Sequence, residues 1–414
     1  MNTNSQPNPD LAAGANASLR LGVLLLSSGA AGYRVIRAVK RCARSLGFDR
    51  ADVLVGFNTI SCTFHYRGDF RTAVSDVPLP GVNASRIEAL ETLSHSMLQS
   101  YRTPAEVNAA LDEIVQIPTP RWGLGVSTIA AGLACAGFAV LNQFGYLAAA
   151  FVFVAAALGQ LARVKLHRVH FNMLGVTMAA ALVASTTFLL LTELMPSGEQ
   201  LSPGFIAAVL FLIPGFPMFS SFVDLARFDF TSGIPRLFFS LEVIVVIMLT
   251  VSVVAMISDT PEAVALPVPL TFEFLAAGAA ASFVSVGCFA LLFNSSRRMA
   301  LMAAGLGAVA NLARLVMMGA GLVPFIAAFV AALLIGLAGG LIGSWANIPR
   351  VTVTIPASVV MIPGTTIYAA AHNFAVGDIA NALSRFTEVS FVVIFIGGGL
   401  AVARMLTDPT WAFF

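Results

Sequence analysis

The chain has 414 residues, 58% of them hydrophobic and only 11% charged, with a mean hydropathy of +0.87 and a formal net charge of +2. Soluble domains carry roughly a quarter charged residues, so a soluble core cannot absorb this apolar surface and a bilayer must solvate most of it. Four scattered cysteines (Cys42, Cys62, Cys135, Cys288) form no CxxC pair, which argues against a disulfide framework or a zinc site.

The opening stretch MNTNSQPNPDLAAGANAS is polar and holds no basic residue. Residues 1–15 are expected to be a disordered N-terminus. RLGVLLLSSGAAGYRVIRAVKRCARSLG follows, and its apolar run of about a dozen residues is too short to span a bilayer. Its positive charges come after the apolar run, which suits an amphipathic helix better than a signal peptide. ADVLVGFNTISCTFHYRGDFRTAVSDVP contains short β-rich pieces parted by a turn at RGDF. NASRIEALETLSHSMLQS opens on an Asn or Ser cap and spaces Ile87, Leu90, Leu93 and Met97 as a helix does. TPAEVNAALDEIVQIP reads as another helix, with Pro104 in its first turn and Pro118 beyond its end. Residues 16–120 are therefore expected to form a small cytosolic α/β domain.

Beyond Pro118 the hydropathy rises abruptly. Ten apolar spans are predicted, at 122–141, 144–162, 172–194, 203–222, 234–257, 270–293, 299–318, 322–343, 351–372 and 389–405, each near the ~20 residues a membrane helix needs. With the N-terminal domain in the cytoplasm, cytoplasmic loops and the tail hold Arg163, Lys165, Arg168, Arg227, Arg236, Arg297, Arg298, Arg350 and Arg404. The opposite side holds Arg385 as its one basic residue, with Glu193, Glu199, Asp259, Glu262, Asp378 and Glu388. That partition follows the positive-inside rule and puts both termini in the cytoplasm, with the chain in the cytoplasmic (inner) membrane. The expected fold is an all-α polytopic membrane protein of two five-helix modules, 121–258 and 259–414. Because five is odd, the modules are inverted relative to each other, as in many secondary transporters.

A second signal lies inside the spans. FLIPGFPMFSSFVDLARFDF and VMIPGTTIYAAAHNFAVGD share one layout: Pro214, Gly215, Asp224 and Asp229 match Pro363, Gly364, Asn373 and Asp378. Proline removes a backbone donor and clashes with the preceding turn, and glycine adds freedom. Each pair is expected to open its helix near mid-bilayer, where freed amides and carbonyls must face protein or a watery cavity. Freed amides attract a carboxylate and freed carbonyls a cation, which makes a small zwitterion or carboxylate the expected solute. The bland alternative is a proline kink.

Glu242, about two turns into the fifth span, is a candidate proton carrier or else an ion-pair partner of Arg236. Asn311 and Arg314 share a helix face at i, i+3. Arg314 is a candidate for a two-pronged contact with a substrate carboxylate, or else reaches headgroups or a neighbouring acid. RVKLHRVHFN, with His167 and His170, reads as a basic anchor to anionic lipid rather than a metal site. GGGLAVARM near the C-terminus fits close helix packing. No Walker, GxSxG or HExxH motif occurs, so no catalytic, nucleic-acid, metal or cofactor role is expected.

LGVLLLSSGAAGYRV, PRWGLGVSTIAAGLACAGFAVLN and LIPGFPMFSSFVDLARFDFTSGIPRL resemble the threonine/serine exporter family. FNSSRRMALMAAGLGAVANLARLVMMGAGL and TIPASVVMIPGTTIYAA resemble its second, smaller module. The resemblance runs from about residue 15 to near the end and implies proton-driven export of threonine and serine from the cytoplasm. It carries over Pro214, Gly215, Pro217, Asp224, Gly233 and Arg236, then Arg314, Pro356, Pro363 and Gly364. The family commonly has a glycine near 228 or 229, where this chain reads ARFDF. In some bacteria the modules resemble separate subunits implicated in succinate export. A dicarboxylate exporter and a membrane-anchored sensor or scaffold are therefore the alternatives; a homo-oligomer is compatible with each.

Overall fold

The computed structural model describes residues 10–78, 81–194, 204–258, 266–408 and 411. The expected disorder of residues 1–9, and the loop acids Glu199, Asp259 and Glu262, lie outside the described residues. The chain divides into two compact units, Met1–Arg121 with Phe216–Phe238, and Trp122–Gly215 with Phe239–Phe414.

In the first unit, α1 (Leu11–Ser27) starts where the Asp10 carboxylate accepts from the Ala12 and Ala13 amides. The helix thus occupies residues 11–15, which were expected to be disordered, because an aspartate N-cap satisfies its first free donors. The single amphipathic helix expected next is split into α1 and α2 (Gly32–Ser45). The chain turns at Gly29, whose φ of 90° suits glycine and whose missing side chain admits the Gly81 carbonyl. The apolar run is core, with Leu21, Leu25 and Leu26 fully buried.

Three antiparallel strands follow in the order β1 (Arg50–Val55), β2 (Thr59–Tyr66) and β3 (Asp69–Asp76). The β2–β3 hairpin turns on Arg67 and Gly68, both at positive φ as a two-residue primed turn requires. Along β2 the residues Ile60, Cys62, Phe64 and Tyr66 are buried in alternation, so one face of the sheet is covered. Helix α3 (Ala84–Ser96) is capped by Asn83 and α4 (Pro104–Val115) by a Thr103–Glu106 capping box. An ion pair of Arg34 with Glu91 ties α2 to α3. Burial alone would lower the Arg34 guanidinium, yet the Glu91 charge beside it raises it overall.

The second unit is helical: α5 (Leu124–Leu141), α6 (Tyr146–Arg168), α7 (Met173–Glu193), then α8 (Gly204–Ala207) and a 3-10 turn (Leu210–Leu212). Next come α9 (Gly215–Leu225), which belongs to the first unit from Phe216 on, and α10 (Phe230–Ile257), which belongs to it as far as Phe238. The order then repeats as α11 (Phe272–Leu292), α12 (Arg297–Gly319), α13 (Pro324–Ala346), α14 (Val351–Val359), α15 (Gly364–Ala375) and α16 (Ile379–Thr407). Among the described residues eight helices are long and apolar enough to cross a membrane, or ten if each bent pair is one span.

The repeat extends to detail. Pro214 and Pro363 stand 149 residues apart (363 less 214). The short helix α8 packs among α5, α6 and α7, as α14 packs among α11, α12 and α13. Where α5 crosses α11, Gly137 lets Ser285 approach and donate to the Ala134 carbonyl at 2.9 Å. Gly399 in the glycine run lies against the Phe329 carbonyl of α13, a close helix contact of the kind small residues permit.

Candidate functional site

The two breaks share one backbone. Before each proline come two consecutive i→i−3 bonds, Leu212 and Ile213 to Val209 and Leu210, then Met361 and Ile362 to Ser358 and Val359. After each, the glycine amide reaches back two residues, Gly215 to Ile213 at 2.8 Å and Gly364 to Ile362 at 2.9 Å. Pro363 has φ −81° and ψ 72°, an inverse γ-turn. The flanking helices are bent by 62° at the first break and 55° at the second.

The breaks also touch. A Cβ on Gly215 would stand 2.9 Å from Val359 Cγ2, and one on Gly364 would stand 2.6 Å from Leu210 Cδ2. Val359 follows Leu210 by the same 149 residues (359 less 210). The two contacts are therefore one contact with the halves exchanged. Each glycine is the space that lets the other half's apolar side chain close over the break.

The acidic spacing behind each break has a structural account. Helix α9 ends with the Asp229 amide on the Asp224 carbonyl and the Phe228 amide on the Leu225 carbonyl. Helix α15 ends with the Asp378 amide on the Asn373 carbonyl and the Gly377 amide on the Phe374 carbonyl. Both are Schellman caps, whose penultimate residue is left-handed: Phe228 has φ 59° and Gly377 φ 83°. Asp378 then caps α16, accepting from the Asn381 amide.

The side chains differ. In the first unit Asp224 is fully buried and accepts from the Gly32 amide at 3.1 Å and Ser232 Oγ at 2.9 Å. Arg236 is buried 3.8 Å from that carboxylate and donates to the Ala30 carbonyl. Asp229 is half-buried beside Gly32. The α1–α2 turn is thus seated on the α9–α10 hairpin, and a side chain on Gly32 would strike Ser232. In the second unit Asn373 is buried and donates to the Ala369 carbonyl, while Asp378 is exposed. Arg385, 149 residues after Arg236, is exposed and lies 3.4 Å from Glu388. Glu242 is exposed on α10.

Beside the second break lies a cavity of about 140 Å³. One water takes ~30 Å³ in the liquid, and pockets for drug-sized ligands start near ~300 Å³, so the space fits a solute of few heavy atoms. Arg314, Glu388, Asn142, Thr365, Thr366 and Pro363 are among its lining. Arg314 Nε donates to Asn311 Oδ1 at 2.7 Å, and Asn311 Nδ2 donates to Ser282 Oγ at 2.8 Å. Among the described residues no carboxylate lies within ion-pair distance of Arg314. Thr365 Oγ1 donates to Asn142 Oδ1 at 3.5 Å, a long contact that joins the start of α15 to the end of α5.

The structure thus brings Asn311, Arg314 and Pro363 together, and puts Gly215 and Gly364 at the touching breaks with Pro214 beside them. Asp224, Asp229 and Arg236 form a separate cluster. Asn142, Thr365 and Glu388 were not singled out by the sequence as site residues. The 149-residue offset carried from Arg236 to Arg385 would have drawn attention to the Arg385–Glu388 end of α16.

A family profile described as Putative threonine/serine exporter matches residues 16–258, more than half of the chain. A second, Threonine/Serine exporter, ThrE, matches residues 278–406. Among curated relatives, a protein of Escherichia coli (strain K12) named Probable succinate transporter subunit YjjP is 26% identical over 221 residues, which is 53% of this chain and 84% of that one. Its namesake in Klebsiella aerogenes is 26% identical over 222 residues, 53% of this chain and 83% of that protein. No solved structure gives a significant match. The profiles and relatives indicate a transporter and not an enzyme. The chain belongs to the threonine/serine exporter family.

Proposed function

We propose that this exporter moves small hydroxylated amino acids, threonine and serine, out of the cytoplasm by alternating access and proton antiport. The observation that carries the reading is the exchanged contact of Gly215 on Val359 and Gly364 on Leu210. Two bent segments related by repeat and closed on each other are what inverted five-helix modules need around a central solute site. Ten spans, with each bent pair counted once and both termini cytoplasmic, belong to the same proposal. Arg314, with no carboxylate paired to it among the described residues, is the group we assign to the substrate carboxylate.

Asp224 is the acid we assign to the coupling proton, in preference to the exposed Glu242. Protonation would remove the charge facing Arg236 and weaken acceptance from Gly32 and Ser232, loosening the hairpin after the first break. Asp229 and Arg236 complete that hairpin, and Asn373 and Asp378 hold the matching one. One proton crossing 100 mV supplies about 2.3 kcal/mol.

A second reading, dicarboxylate export, is supported by the same unpaired Arg314 and by the printed name of the relatives. Vesicles reconstituted with the full chain and loaded with labelled threonine or labelled succinate separate the two. Threonine efflux that stops with an uncoupler is expected; succinate efflux without threonine efflux reverses the assignment.

A further inference from the structure

We infer that Glu388 is the ammonium-binding, specificity-determining residue of the cavity beside the second break, and that Arg385 is its displaceable counter-ion. This rests on the exporter reading above and names what selects its solute. One small cavity is lined by a cation, Arg314, and an anion, Glu388, with Thr365 and Thr366 on the same lining. A zwitterion presents one carboxylate and one ammonium and matches both charges. A dicarboxylate leaves Glu388 facing a like charge, which disfavours it.

The two ends are held differently. Arg314 is fixed through Asn311 to Ser282 and by its Nη1 on Met318 Sδ at 3.2 Å, and among the described residues no carboxylate lies within ion-pair distance of it. Glu388 is part-exposed and its Oε2 stands 3.4 Å from Arg385 Nη1, a loose contact at the surface. An arriving ammonium competes with Arg385 for Glu388, so binding frees Arg385. Its counterpart Arg236 is sealed against Asp224 and a backbone carbonyl instead. The two halves therefore use equivalent arginines differently, one as a fixed tie and one as an exchangeable partner.

The test uses the purified full chain and three probes: threonine, threoninamide (ammonium without carboxylate) and 3-hydroxybutyrate (carboxylate without ammonium). Affinity is read both as competition against labelled threonine exchange and as protection against thermal unfolding. Glu388→Gln is expected to weaken threonine and threoninamide by at least about tenfold and to leave 3-hydroxybutyrate within about twofold. Arg314→Gln is expected to do the reverse, weakening threonine and 3-hydroxybutyrate, and Arg385→Gln to tighten the two ammonium probes. If Glu388→Gln weakens all three probes equally, or none, the assignment is overturned. A wild type that exchanges succinate but ignores threonine keeps the exporter and overturns the zwitterion site. A wild type that exchanges neither overturns both.

Discussion

Gly215→Ala tests the closure of one broken helix on the other. Its new Cβ would stand 2.9 Å from Val359 Cγ2, 3.6 Å from Val359 Cγ1 and 3.4 Å from Ile362 Cδ1. Relaxed carbon contacts lie at ~3.5–4.0 Å, so Val359 or the segment carrying it must withdraw by most of an ångström. Turning the valine does not help, because both its methyl groups face the site and a β-branched side chain on a helix has one strongly preferred rotamer. Val359 and Ile362 are also buried, with no outward path. Overpacking of this kind costs about 1–3 kcal/mol. Val359→Ala alone removes two methyl groups, at about 0.5–1.5 kcal/mol each by analogy with Ile→Val, or about 1–3 in all. In the double variant the new methyl occupies space the valine vacated, so the two losses should fall short of their sum by about 1 kcal/mol or more. Reversible unfolding in mixed micelles gives the three stabilities, and threonine efflux gives the functional companion. Losses that add to within about 0.5 kcal/mol would mean that the residues do not share a contact, and the exchanged-contact argument would fail.

Three further outcomes are expected. Phe228→Gly should stabilise the chain by about 1 kcal/mol, because a left-handed conformation costs an L residue roughly 1–2 kcal/mol that glycine is spared; Gly377→Phe should do the opposite in the same unfolding assay. Arg236→Gln should cost about 3–5 kcal/mol by leaving the buried Asp224 without its cation, and the Asp224→Asn, Arg236→Gln pair should cost less than the two singles summed. Burial pushes the thiol of Cys62 up to about 12 and that of Cys42 up to about 11, so a maleimide at pH 8 should modify neither in the folded protein and both after denaturation, as read by mass spectrometry.

The parts legible in the sequence are those set by local chemistry. Hydropathy located the helices because length and apolarity are properties of each segment alone: the expected 270–293 is α11 at Phe272–Leu292. The breaks were legible because proline acts on its own backbone, and the caps of α3 and α4 because Asn83 and Thr103 bond within three residues. The illegible parts are contacts between distant segments. SSGAAG gives no hint that Gly32 donates to Asp224, 192 residues away. For the same reason the α9–α10 hairpin, expected within a membrane module, groups with Met1–Arg121 in the first unit. Glu388 read as one more loop acid, because its sharing of a cavity with Arg314 is fixed only when α12 and α16 pack into one unit.

The repeated motif therefore divides into two kinds of residue. The spacing of five from Asp224 to Asp229 and from Asn373 to Asp378 is the span of a Schellman turn, and any pair of helices joined that way would show it. It needs no transported ion to explain it. Two features survive that account. One is the break, where both glycines are kept free of side chains by a residue of the other half. The other is the exchange of Asp224 for Asn373 at matching positions, with Arg236 beside a buried carboxylate and Arg385 in a loose contact with Glu388 of its own helix. A repeat that served only to pack would not require the charges to differ. Their difference falls where the proposed mechanism asks one half to hold its hairpin and the other to exchange a cation for a solute.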